Sequence, residues 1–153
     1  MKKDNLREHF RSFDAECGSP IEAMLSAAII YTIGLSMYEQ TDGGLDFAFQ
    51  PFRLSKQEPI AGFHVDLALK GEGVRVAIEC DGHAFHEKTK DQVAKDKARE
   101  RAIVEAGYVV IRFSGSEIWN DPMACASQAF IIARNQQSDA AEAFYNAQNS
   151  TSK

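Results

Sequence analysis

No stretch of this sequence stays apolar long enough to cross a bilayer. The most apolar run, 23–38, is interrupted by Ser, Thr and Gly, whereas a spanning helix takes roughly 20 apolar residues. A secretory leader is missing too, because MKKDNLREHF is charged and has no apolar centre. Cysteine is scarce. Cys17, Cys80 and Cys125 are odd in number, scattered and without a CxxC pair, which excludes a disulfide framework and predicts a reducing, cytoplasmic setting. Net positive charge is absent. At −5 overall the chain lacks a generic electrostatic grip on nucleic acid, although a local basic site is compatible with that figure. Internal repeats and linkers are missing as well. A length of 153 residues, 44% hydrophobic and 25% charged, therefore predicts one globular domain, over 1–135 with its core at 19–119, and a polar tail over 136–153.

What is present is a series of well-punctuated elements. Ser19-Pro20-Ile21-Glu22 opens a helix, with Ser19 as N-cap, Pro20 at the first helical position and Glu22 completing a capping box. Its buried stripe is Ile21, Leu25, Ala28, Ile29, Thr32 and Ile33, and Thr41-Asp42-Gly43-Gly44 ends it. Residues 45–54 alternate as a strand, and Glu58-Pro59 turns the chain. A helix follows His86 and closes at Gly107, then YVVIRF over 108–113 forms a strand parallel to its predecessor by the right-handed crossover rule. Ser114 to Glu117 is a second capping box, and Asp121-Pro122 starts a last helix that reaches Arg134 or beyond. The order predicts an α/β fold, a mixed sheet of about four strands flanked by helices.

The centre of the chain is 63–86, FHVDLALKGEGVRVAIECDGHAFH. In the first arm Phe63, Val65, Leu67 and Leu69 alternate with His64, Asp66, Ala68 and Lys70. In the second, Val74, Val76, Ile78 and Cys80 alternate with Arg75, Ala77, Glu79 and Asp81. Gly71-Glu72 as a two-residue loop sets Asp66 opposite Ala77, which leaves Asp66 and Glu79 diagonal on one face at about 7–8 Å. Two such carboxylates repel unless a cation lies between them, and Ala68 and Ala77 leave room for one. A loop of odd length would put them on opposite faces.

These residues resemble the PD-(D/E)xK nuclease superfamily, and within it the small endonucleases related to very-short-patch repair enzymes. The resemblance rests on Glu22, on Val65-Asp66-Leu67, on Ile78-Glu79-Cys80-Asp81-Gly82-His83, on the basic helix KDQVAKDKARER and on Gly107 to Phe113. It implies a restriction-endonuclease-like αβββαβ core and Mg²⁺-dependent hydrolysis of phosphodiester bonds in DNA, with Mn²⁺ as a substitute. Asp66 and Glu79 would hold the metal, with the backbone carbonyl of Cys80 and Asp81 as further ligands. Hard oxygen donors of this kind suit Mg²⁺. Glu22 would hold a water on the metal. The superfamily usually carries Lys two residues after the Glu, where this chain has Asp81. His83 or His86, or a helix lysine such as Lys90 or Lys95, would supply the missing base or charge. Lys90, Lys97, Arg101 and Arg112 are candidates for phosphate contacts.

Each assignment has a plainer alternative. Glu22 could be only the partner of Ser19, Asp81-Gly82 only a turn, and the lysines a solvated face with i,i+4 ion pairs. Two rival functions follow: a catalytically silent nuclease fold that binds nucleic acid or a partner protein, and a metal hydrolase of small phosphate esters. A domain this compact carries no separate recognition module, so targeting by a homodimer or by a partner protein is expected, and no membrane is involved.

Overall fold

A computed structural model describes residues 17–40 (with side chains to 34), 52–82 and 89–150. The first helix, α1, spans Pro20–Gln40. As expected, Leu25, Ala28, Ile29 and Ile33 are its buried stripe, while Thr32 turns its hydroxyl back onto the Ala28 carbonyl at 2.8 Å.

Three antiparallel strands follow, β1 (Phe52–Ile60), β2 (Phe63–Gly71) and β3 (Val74–Asp81). The first continues to Ile60, past Leu54 where the alternation predicted its end. Residues 45–51 fall outside the described residues, and Glu58 and Pro59 lie inside β1, not at a turn. Pro59 is tolerated because β1 is an edge strand in the order β1-β2-β3-β4, where a missing N–H breaks no ladder. The real turn is Ala61-Gly62, whose φ values of 51° and 82° are the paired positive angles of a type I′ hairpin.

The β2–β3 loop also moves by one residue. Gly71 stays in the strand opposite Val74, so the loop is Glu72-Gly73 with the glycine second, at φ 70°. A one-residue shift of the loop slides the register by two, so the face of every side chain is preserved. A second reason for the glycine lies across the molecule. A Cβ at Gly73 would stand 2.4 Å from the Ala140 Cβ of the last helix. Gly73→Val is therefore expected to cost about 2–3 kcal/mol from overpacking and left-handed strain. Circular dichroism melts should show a fall of roughly 5–10 °C.

After β3 come α2 (Lys90–Glu105), β4 (Val109–Ser114), α3 (Gly115–Asn120) and α4 (Pro122–Ser150). A capping box of Thr89 with Gln92 starts α2, and the expected Gly107 ends it at φ 87°. Strand β4 pairs parallel with β3, from Val76↔Val109 to Asp81↔Ser114, as the crossover rule predicts. The capping box at Ser114 and Glu117 is present. Helix α4 runs through the boundary expected at 135 and on to Ser150. Its polar second half is held because Gln136 clamps the backbone of Arg75, accepting from its N–H at 3.0 Å and donating to its carbonyl at 3.4 Å.

The sheet is thus covered on both faces. Leu67, Leu69, Val76, Ile78, Ile111 and Phe113 pack with Leu25, Ile29, Ala126 and Ala129 of α1 and α4. On the other side Ala68 and Ala77 pack with Ile103 of α2. The space expected over the two alanines is therefore filled by a helix. Phe63, which alternation assigns to the apolar face, is 37% exposed at the hairpin end.

Candidate active site

Ladder pairing between β2 and β3 stops at Leu67↔Ile78. Asp66 and Glu79 are the next residue on each strand beyond that last pair. Here the sheet opens. The Cys80 N–H donates to Asp66 Oδ2 at 2.8 Å, so a side-chain oxygen accepts the bond in place of a strand carbonyl. Asp81 follows at the end of β3, where the chain passes beside Ile21 of α1 and Gly115 of α3.

Burial pushes the Asp66 carboxyl above the ordinary carboxylate range. The Cys80 N–H and the Arg99 guanidinium pull it back, and Glu22 and Asp81 push it further up. Burial does the same to Glu79, against the pull of Arg99 and Arg112 and with the push of Asp66 and Asp81. The Cys80 thiol is likewise raised by burial and then by Asp66 and Glu22, so it is an inert packing group and not a nucleophile. Asp66 thus feels Glu22 and Asp81, and Glu79 feels Asp66 and Asp81.

The cation that the acid pair requires is present as protein. Arg99 of α2 brings Nη2 to 2.8 Å from Glu79 Oε1, and Arg112 of β4 brings Nη2 to 3.2 Å from Glu79 Oε2. Arg112, a candidate for phosphate contact, also has its Nη2 3.5 Å from Glu100 Oε2, and its side chain is 28% exposed. Satisfaction is incomplete. Glu79 is 3% exposed, yet its Oε1 has no aligned hydrogen bond, and neither has Arg112 Nε.

Glu22 is buried at the start of α1. Its Oε1 accepts from the Ser19 hydroxyl at 2.9 Å, and its Oε2 accepts from the Gly18 N–H at 2.8 Å and from Gln57 Nε2 at 3.3 Å. It therefore caps α1 and also reaches across to β1. Gln57 was not singled out in the sequence. It falls between the pairs Lys56↔Leu67 and Glu58↔Val65 of the β1–β2 register and has φ 45°, an unusual backbone angle that single-residue pattern reading does not reveal. Arg99 was missed as well, hidden in a run of alternating charges. Lys95 lies one turn before Arg99 on α2 and is exposed. Lys97 and Arg101 line a shallow groove with Glu100, Val104 and Glu105, on the side of α2 away from buried Ile103. Lys90 is exposed at the start of α2. His83 and His86 lie outside the described residues.

Among the described residues, no three His, Cys, Asp or Glu side chains gather into a metal cage. The donor set fits a cation held more sparsely. Asp66, half-buried, repelled by Glu22 and Asp81 and in no ion pair among the described residues, is what an ion with one or two protein carboxylates would satisfy, the remaining positions going to water and phosphate, whereas Glu79 Oε1 already has Arg99 beside it. No helix among the described residues is long and apolar enough to cross a membrane.

An acid-bearing hairpin, a helix crossover and a parallel fourth strand, with a helix packed before them, define an α/β protein of restriction-endonuclease-like fold. Residues 48–130 match the model of the restriction endonuclease-like family REase_MTES_1575, more than half of the 153-residue chain, and the protein belongs to that family. The match takes in Asp66, Glu79, Asp81, Arg99 and Arg112 but not Glu22. Over 88 residues the chain is 27% identical to an uncharacterized protein of Haemophilus influenzae, which covers 58% of this chain and 69% of that one. No solved structure matches. Membership of the family indicates nuclease function in general.

Proposed function

We propose that the protein is a Mg²⁺-dependent endonuclease that hydrolyses phosphodiester bonds in DNA. The observation that supports this reading is that Asp66, Glu79 and Asp81 all lie at the end of the hairpin where ladder pairing between β2 and β3 stops, inside the segment that matches the nuclease family. Asp66, Glu79, Asp81 and the Cys80 carbonyl would hold the ion. When bound, it would lower the pKa of a water, orient that water in line with the phosphate and offset charge on the leaving oxygen.

The chain's own residues do the rest. The Cys80 N–H fixes the Asp66 carboxylate in one orientation through a bond to Oδ2, leaving Oδ1 for a ligand. Glu22 fixes Gln57 of β1 and ties α1 to the site. Lys95, and with it Lys90, Lys97 and Arg101 along α2, would track the DNA backbone. His83 or His86 would move the proton. Targeting would come from a second copy of the chain or from a partner protein.

The test is cleavage of supercoiled and single-stranded DNA with Mg²⁺ or Mn²⁺ by the wild type, Asp66→Ala and Glu79→Ala. Metal-dependent cleavage by the wild type alone supports the reading. Equal cleavage by all three forms would move the site off this hairpin.

A second reading has an observation of its own. Glu79 is already engaged by Arg99 and Arg112, as in a fold that has given up metal and kept binding. On that reading the wild type takes up no Mn²⁺ in a titration and cleaves nothing, yet retards DNA or a partner.

A further inference from the structure

Hydrolysis of a phosphodiester adds negative charge to a site that already holds Asp66, Glu79 and Asp81. A preorganised positive donor beside those acids would stabilise that charge where it develops. Two described arginines reach the acids, and they are not equivalent. Arg112 acts on Glu79, shares its Nη2 between Glu79 and Glu100, and buries its Nε without a partner. Arg99 acts on both acids, since its charge bears on Asp66 as well as on Glu79. Its Nη2 is anchored twice, 2.8 Å from Glu79 Oε1 and donating to the His64 carbonyl at 2.6 Å. Both anchors use one nitrogen. A guanidinium carries five N–H donors, and among the described residues those on Nη1 and Nε meet no acceptor, while the side chain is 30% exposed.

We infer that Arg99 is a catalytic residue, a guanidinium pinned by Glu79 and the His64 carbonyl so that its remaining donors meet the phosphate undergoing cleavage. This rests on the nuclease reading above and adds to it the source of the positive charge. Arg99 stands on α2 and so leaves no motif beside Glu79 in the sequence. With Nη2 engaged, the N–H groups of Nε and Nη1 point to different sides of the guanidinium plane, so each offers a single charge-assisted bond to a phosphate oxygen.

The experiment compares wild type, Arg99→Ala, Arg99→Lys and Asp66→Asn on a short DNA duplex, with Mn²⁺ binding followed by calorimetry and folding by circular dichroism. Arg99→Ala is expected to lower kcat by about 10²–10³ with KM changed less than about threefold, the magnitude usual for losing one transition-state donor. It should bind Mn²⁺ as tightly as the wild type or more tightly, because a like charge has been removed. Arg99→Lys should recover part of kcat, and millimolar guanidinium should rescue Arg99→Ala. If Arg99→Ala fails to fold, Arg99→Lys with wild-type kcat overturns the inference, and a folded Arg99→Lys with depressed kcat and unchanged Mn²⁺ binding supports it. Loss of Mn²⁺ binding in Arg99→Ala would reduce the arginine to a holder of the acids and overturn a catalytic role. Retained kcat in Arg99→Ala, with Asp66→Asn inactive, overturns this inference and leaves the nuclease reading standing. Absence of both cleavage and Asp66-dependent Mn²⁺ binding in the wild type overturns both together.

Discussion

Asp66→Asn is expected to lose cleavage by about a thousandfold or more, roughly the 4 kcal/mol that a lost metal ligand withdraws from the transition state. The same variant should melt higher than the wild type in metal-free buffer at neutral pH. Burial raises the Asp66 carboxyl and Glu22 and Asp81 add to that, so the ionised form is less favourable in the folded chain than in the unfolded one. A raised carboxyl contributes its full stability below the unfolded value and loses it as pH climbs through the folded value. Asn carries no charge to bury, and its carbonyl oxygen can still accept from the Cys80 N–H. The gap between the two proteins should therefore open as pH rises from about 4, the unfolded Asp value, toward 7. Melts in EDTA across that range check this. Adding Mn²⁺ should raise the wild-type midpoint and leave the variant where it was. An Asn variant that melts lower than the wild type at pH 7 would mean that Asp66 is a structural acceptor first.

Much of this site was legible because strands encode their faces with a period of two. The alternation through Asp66, Ala68 and Ala77, Glu79 survived a loop shifted by one residue, since the register moved by two and parity was kept. Helix starts were legible where a capping residue announces itself, as at Ser19 and Ser114. The hairpin end was not. Glu58-Pro59 reads as a turn by composition, but the backbone turns at Ala61-Gly62, and an alanine with positive φ gives no signal in the sequence. Nor could alternation along one strand show that Ile103 of α2 covers Ala68 and Ala77, or that Arg99 and Arg112 meet on Glu79. Those contacts join α2 and β4 to the hairpin, and the order of side chains along a helix does not say which charge turns inward. Long-range placement of a cation was the missing information, and it changes how Glu79 is understood.

Glu79→Ala should behave oppositely to Asp66→Asn in stability, although both acids lie where β2 and β3 part. Burial raises Glu79 too, but this carboxylate lies between two guanidinium groups. Removing it leaves Arg99 and Arg112 facing each other across a small cavity, with Arg112 Nε already buried and unpaired. Breaking a wholly buried ion pair costs about 3–5 kcal/mol, and since both arginines are partly exposed the expected loss here is about 2–3 kcal/mol. In thermal melts that is a fall of roughly 5–10 °C. Glu79→Gln should lose much less, because the amide oxygen still accepts from one arginine while the cost of burying a charge disappears. Adding Arg112→Ala to Glu79→Ala should recover part of the loss, with a coupling of about 1 kcal/mol or more. If Glu79→Ala instead raises the midpoint, as expected for Asp66→Asn, the arginines contribute little to holding Glu79. The acid would then be a strained group whose charge is offset when a cation binds. Loss of stability in Glu79→Ala would instead make the Arg99–Glu79–Arg112 cluster the scaffold on which Asp66 presents its free oxygen.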